Sequence, residues 1–292
     1  MDFHYDIDFI FPNDEPPFDS SSDDDEMELT LAIAIEELKN EGASTSRRRS
    51  VQPRRFIWRN PLQGHDRLFH DYFVETPVYP PNVFRRRFRM SRSLFLRIHS
   101  RVEATEPYFV QKRNAANTLR LSSLQKMTAA IRMLAYGVSA DFMDEYIRIG
   151  ETTAIKSLKK FVKAVVSIFS EEYLRSPNNN DIARLLAVGQ HRGFPGMLGS
   201  INCMHWKLNN CPNGIYPSWA TFVKTILAPQ DRKRQHFASA QEAVRKDVER
   251  AFGVLQARFA IVRGPTRFFH LETLKDIMMA CIILHNMIVE DE

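Results

Sequence analysis

Two kinds of side chain in this sequence carry chemistry: a small Cys/His set beyond the middle of the chain, and dense groups of Lys and Arg. Cys203, His205 and Cys211 are spaced C-x-H-x5-C. Thiolate and imidazole are zinc ligands, but a closed structural site takes four of them and is marked by paired C-x2-C spacing. A fourth ligand would have to come from His191 or Cys281, far along the chain, so core packing is the preferred reading of the cysteines. Gly193, Gly196 and Gly199 do not have the spacing of a phosphate-cradling loop. His285 and Asn286 stand in an apolar run and read as a hydrogen-bonded core pair. No Ser or Cys has a base nearby in sequence that would make it a nucleophile.

The cations are the stronger signal. Arg85, Arg86, Arg87, Arg89 and Arg92 follow Pro77, Pro80 and Pro81, while Arg47, Arg48, Arg49, Arg54 and Arg55 surround Pro53. Such clusters read as nucleic-acid or nuclear-import patches, with a solvated linker as the alternative. Lys156, Lys159, Lys160 and Lys163 interleave with Ile155, Leu158, Val162, Val165 and Phe169, giving a helix with one basic and one apolar face. That helix either docks on DNA or simply packs its apolar side. The formal charge of the 292 residues is +5, but residues 1–28 hold eight Asp, three Glu and no Lys or Arg, which leaves +16 for the rest. A basic body with an acidic tail suits contact with a polyanion.

The elements that must position these groups follow from periodicity. Residues 1–46 read as an acidic, largely disordered tail, punctuated by Phe3, Tyr5, Phe9, Phe11 and Phe18, with a short helix over 27–40. Residues 47–82 read as a basic extended linker, and 83–186 as a helical domain. Within it, a helix runs over 93–102, and Ser122 caps another that carries Leu124, Met127, Ile131 and Leu134 and stops at Gly137. Helices over 140–149 and 151–169 follow, and the three together have helix-turn-helix order. The stretch from Gly189 turns into a buried strand through Met197 to Trp206. Two more helices carry Val244, Val248, Phe252, Leu255 and Phe259, then Leu274, Ile277, Cys281, Leu284 and Ile288. Three cysteines fit a reducing compartment, no apolar run spans a membrane, and the acidic start is unlike a secretory signal.

Five stretches carry a family resemblance: FRRRFRMSRSLFLRI at 84–98, GFPGMLGSINCMHW at 193–206, NGIYPSWATFVKTI at 213–226, QEAVRKDVERAFGVLQARFAIVRGP at 241–265 and ACIILHNMIVEDE at 280–292. Over about residues 60–292 the chain resembles plant PIF/Harbinger transposases and their domesticated relatives. The resemblance implies a ribonuclease-H-like fold with an Asp-Asp-Glu triad that holds two divalent cations, Mg²⁺ or Mn²⁺, for in-line displacement at phosphorus. It also implies nuclear location, DNA as partner, and a Myb-like or chromatin-regulator protein beside it. The expected architecture is mainly α with a truncated α/β part: a helix-turn-helix-like domain, then a remnant nuclease domain over 187–292. Lys156, Lys159, Lys160, Lys163, Arg85, Arg86 and Arg87 are the expected DNA contacts.

The family's first aspartate falls at Asn202. An amide is neutral and turns N–H donors toward the place where a cation should sit. The second carboxylate belongs between the N-C-P and G-I-Y-P motifs, yet Asn210-Cys211-Pro212 runs straight into Asn213-Gly214-Ile215-Tyr216-Pro217. Residues 203–248 alone separate Asn202 from Glu249, too few for hairpin strands plus a βαβ unit of about 30 residues. Glu249 matches the third carboxylate, and it also stands four residues after Arg245, where an ion pair is the plainer role. The implied function is a transposase-derived, catalytically inactive protein that retains DNA and protein contact. Its rivals are a working metal-dependent nuclease that recruits Asp231 and Glu242, a chromatin-associated interaction module, and a deleted element copy or misjoined gene model.

Overall fold

The computed structural model describes residues 57, 59–113, 117–198, 230–264, 268 and 270–292. From Arg59 to Glu292 they cluster in one unit. The strand segment through Trp206, the Cys203/His205/Cys211 set, Asn202, the tail and its 27–40 helix, and the 47–55 arginines lie outside the described residues.

The organising helix is the lysine-bearing one, Glu151–Tyr173. Ala154, Leu158, Phe161, Val162, Val165 and Phe169 recur at three- and four-residue steps, and all are buried. That stripe needs partners on several sides, and three other helices supply them: Arg92–Thr105, Ser123–Tyr136 and Leu271–Asp291. In chain order the α-helices are α1 (Pro61–Tyr72), α2 (Pro81–Phe88), α3 (Arg92–Thr105), α4 (Ser123–Tyr136), α5 (Phe142–Ile147), α6 (Glu151–Tyr173), α7 (Asn179–His191), α8 (Arg232–Arg258) and α9 (Leu271–Asp291). A 3₁₀ turn, Ala260–Val262, joins α8 to the chain leading into α9.

Polar contacts fix the directions. Asp276 faces Lys163, and the Asn286 amide donates to the Tyr173 carbonyl at 3.2 Å, so α9 runs parallel to α6. Tyr108, just past α3, meets Ser157 near the start of α6 at 3.0 Å, while Arg97 lies toward Tyr173 at its end, so α3 runs antiparallel. The core therefore extends from α1 to α9, across the boundary expected at 186/187.

Helix α4 shows how local signals and packing agree. The Ser122 hydroxyl accepts from the Gln125 N–H at 3.2 Å, and the Gln125 side chain accepts from the Ser122 N–H at 3.1 Å, which closes a capping box. Gly137 ends the helix at φ 61°; a Cβ there would lie 2.9 Å from the Ala260 carbonyl oxygen. Gln125 itself is fully buried. Its amide nitrogen donates to Pro61 and Ile147 carbonyls at 3.1 and 2.9 Å, which ties α1 and α5 to α4.

Residues 61–72 form a helix where an extended linker was expected over 47–82. Asn60 caps it, accepting from the Gln63 N–H at 3.3 Å, Pro61 opens it, and Gly64, Leu68 and Tyr72 form its buried stripe. Gly64 lets the backbones close up: a Cβ would lie 2.7 Å from the Ile147 carbonyl oxygen. Tyr72, Phe73, Phe84, Phe88 and Phe95 then pack α1, α2 and α3 together, with Phe84 and Phe88 stacked at 4.2 Å. Arg132 of α4 reaches into this cluster, its guanidinium 5.7, 5.4 and 4.8 Å from the Tyr72, Phe88 and Tyr146 ring centres.

The C-terminal half contributes no strand among the described residues, where Met197 and Leu198 stand outside any element. Its described residues form α7, α8, the 3₁₀ turn and α9. Helix α8 begins at Arg232, well before Val244, the first residue of its expected apolar stripe, because Asp231 caps it by accepting from the Arg234 N–H at 2.7 Å. Asp231 to Arg234 are thus a cap and the start of a first turn. Buried residues on α8 are Val244, Ala251 and Leu255, and the turn that follows α7 touches it through Phe194–Phe237, 5.6 Å between rings, and Arg192–Asp247, 2.8 Å.

Candidate functional site

Glu249, the candidate third carboxylate, stands on the exposed side of α8. Arg245, one turn before it, points its guanidinium at both Glu249 (3.5 Å) and Glu242 (3.1 Å). Those two carboxylates raise the Arg245 pKa, Glu242 most. Asp247 accepts ion pairs from Arg192 at 2.8 Å and Arg250 at 3.0 Å, and Asp231 is held by its capping bond and by Arg234 at 3.3 Å. Each acidic side chain of α8 and its cap is therefore matched to an arginine. These are solvent-screened surface pairs, so they hold side-chain positions more than they stabilise the fold.

This donor set does not fit a pair of hard dications. Oxygen ligands must converge on one point, whereas Asp231, Glu242 and Glu249 lie along one helix, Asp231 turned to Arg234 and the two glutamates to Arg245. Among the described residues no group of three or more His, Cys, Asp or Glu side chains converges in that way. The replacement carboxylates proposed from sequence are thus a helix cap and an arginine partner. Of the remote zinc-ligand candidates, His191 is exposed near the end of α7. Cys281 is buried inside α9, where burial pushes its thiol well above the usual range and against the thiolate a metal needs.

The cations expected at DNA fall into two separate groups. On α6, Lys156 and Lys163 are exposed and Lys159 and Lys160 half-buried. Lys160 is 4.0 Å from Glu106, and Lys163 faces Asp276, whose carboxyl is raised by burial against the pull of that lysine. Arg85, Arg86 and Arg87 sit on α2, beside the far end of the bundle: Arg85 pairs with Glu292 at 2.6 Å, just beyond the turn of α9 that meets Tyr173. Along α6 that end is ~25 Å from Lys156 at 1.5 Å per residue. Arg87 is committed inward; its guanidinium lies 4.0 Å over the Tyr79 ring and donates to the Tyr72 hydroxyl, and these hydrogen bonds raise its pKa against burial. Arg86 is exposed, and no ion pair holds it among the described residues.

His285, expected as half of a core pair with Asn286, is buried on α9. Burial first, and the nearby Arg258 second, lower its pKa to about 4, so it is neutral at physiological pH. Arg258 approaches its Nδ1 and its carbonyl, both at 3.4 Å, and also binds Glu292 at 2.8 Å. His285 is a structural group at the junction of α8 and α9. Asn286 serves the same end through its bond to Tyr173.

Residues 171–214 and 212–292 match the family model of plant transposon proteins. Residues 64–103, from α1 through most of α3, match a domain of unknown function, DUF8418. No curated protein and no solved structure matches the chain. The transposon-protein match supports a plant transposon-derived family and a transposase-related origin, and the described residues are mainly helical, with a lone bridge, Arg113–Leu119, as their sheet-like pairing.

Proposed function

We propose that this chain is a transposase derivative of the PIF/Harbinger type whose nuclease centre no longer works, and that it acts in the nucleus through DNA and protein contacts. The observation that carries the reading is the fate of the acidic positions. Asn202 replaces the first carboxylate, and Glu249, at the third, shares Arg245 with Glu242. A guanidinium beside the remaining carboxylate opposes a dication there by direct charge repulsion. The transposon-protein match falls in two stretches that meet at 212–214, the same junction at which the segment carrying the second aspartate is missing. Residues 187–292 are, in this reading, the remnant of a ribonuclease-H-like domain.

DNA contact rests on the +16 carried by residues 29–292 and on the exposed cations of α6 and α2. Such a surface gives salt-dependent affinity without base readout. Protein contact rests on the aromatic-punctuated acidic segment over 1–28, whose composition suits docking to a partner such as a Myb-like or chromatin-regulator protein. Both arms are tested on the purified full chain. Duplex binding that weakens with salt, with no strand nicking in Mg²⁺ or Mn²⁺, is the expected result. Metal-dependent nicking abolished by Glu249→Ala would return the chain to the working nucleases.

A further inference from the structure

The strongest unexplained charge arrangement lies outside every cluster singled out above, in the connection between α3 and α4. There Arg113 and Leu119 form an antiparallel bridge, and the Arg120 N–H donates to the Lys112 carbonyl at 3.0 Å. In that register Lys112 and Arg120 stand directly opposite each other. Like charges at cross-strand positions destabilise a two-stranded ribbon, and among the described residues no third strand joins this one. Both side chains are exposed, as is Arg113.

A third charge lies close to the pair. Lys126, on the first turn of α4, is mostly buried; its ammonium donates to the Tyr108 carbonyl at 2.7 Å and sits 4.8 Å from the Tyr108 ring centre. Burial lowers its pKa, and Lys112 and Arg120 lower it further, against a weaker opposing pull from Glu103. Lys126 therefore feels both of the paired cations, with one carboxylate among the groups that act on it. The ribbon is nonetheless well fastened. The Gln111 amide donates to the Arg120 carbonyl at 2.7 Å, and Arg113 donates to the Asn117 carbonyl at 2.8 Å. At its base Tyr108 meets Ser157 of α6 at 3.0 Å, and the Phe109 ring packs on Phe161. The ribbon is thus anchored to the same turns of α6 that carry Lys156 and Lys160, away from the arginines of α2.

We propose that Lys112 and Arg120 form a backbone-phosphate clamp for double-stranded DNA, continuous with Lys156 of α6, with Lys126 as the buried cation that positions the ribbon. An anion between Lys112 and Arg120 removes their repulsion, so the arrangement is favourable in the bound state and costly in the free one. The proposal rests on the reading of this chain as a DNA-contacting protein. It shifts the main contact from α2, where Glu292 engages Arg85 and tyrosines engage Arg87, to the ribbon and the first half of α6.

The test is fluorescence anisotropy of a labelled, mixed-sequence duplex with the full chain over a range of salt, using the parent, Lys112→Gln/Arg120→Gln, and the charge-retaining Lys112→Arg/Arg120→Lys. Loss of two phosphate contacts should lower the log–log salt slope by about 1.8 and weaken binding about tenfold in the Gln variant, while the charge-retaining variant keeps the parent slope. The melting temperature of the Gln variant should equal or exceed the parent's, since a repulsion has been removed; a marked fall would make the pair a structural element and overturn the clamp. Parent-like slope in the Gln variant, with the parent binding duplex, would overturn the clamp and leave DNA contact standing. No duplex binding by the parent would overturn both, and tighter binding to single-stranded RNA of the same sequence would overturn duplex DNA as the partner.

Discussion

Replacing Gln125 with Met tests the packing account at its most connected polar residue. The two side chains have similar length and volume, so the change removes hydrogen bonds with little cavity. Gln125 is fully buried. Its side chain serves Pro61 at 3.1 Å, Ile147 at 2.9 Å and the Ser122 N–H at 3.1 Å. A buried polar group left without its partner costs about 1–3 kcal/mol. Pro61 is half-buried and regains some hydration, and Ser122 and Ile147 regain little, so the sum is about 3–5 kcal/mol, a large share of an ordinary domain's stability of about 5–15 kcal/mol. Urea denaturation followed by circular dichroism should show a lower midpoint at unchanged slope. Gln125→Glu should be at least as harmful, because a carboxylate cannot donate to the two carbonyls. A loss below about 1 kcal/mol in Gln125→Met would refute the claim that this amide joins α1, α4 and α5.

Two further outcomes rest on buried contacts elsewhere in the bundle. His285 has a folded pKa of about 4 against an ordinary 6.5, so between those values the unfolded chain takes up the proton first. Its contribution is fully present above pH 6.5 and is lost as pH falls toward 4, by about 3 kcal/mol at about 1.4 kcal/mol per unit. Denaturation midpoints across that range should fall less steeply for His285→Asn, and equal slopes would contradict this. Gly137→Ala should destabilise by about 2 kcal/mol or more, since a left-handed residue costs about 1–2 kcal/mol before any clash with the Ala260 carbonyl is counted. A neutral result in the same urea assay would show that the 3₁₀ turn yields freely.

The helices whose apolar stripes face the core on their own terms were legible in the sequence. Ser122 and Gly137 marked the ends of α4, and Leu274, Ile277, Cys281, Leu284 and Ile288 of α9 are all buried. Helix α1 was not legible, because Gly64, two histidines and two aspartates weaken its local preference. It forms because Gly64, Leu68 and Tyr72 find partners on α2, α4 and α5, which no local window reveals. The first turns of α8 were missed for a related reason: Arg232 to His236 carry no apolar stripe, and Asp231 was weighed as a metal ligand and not as a cap. At the candidate site, the Glu249–Arg245 pair follows from helical spacing. The Arg85–Glu292 pair spans 207 residues and could not be inferred. The cross-strand pair Lys112–Arg120 needed a register that the sequence states only through Asn117, whose φ of 57° permits the tight return.

Asn202 and the junction at 212–213 give the functional account its sharpest test. Strand nicking of supercoiled DNA by the Asn202→Asp chain in Mn²⁺ measures whether one restored carboxylate revives the centre. The account predicts no nicking above a metal-free control, since on the proposed reading the second carboxylate is missing, and Glu249 shares Arg245 with Glu242. Metal-dependent nicking by Asn202→Asp that disappears in Asn202→Asp/Glu249→Ala would contradict it.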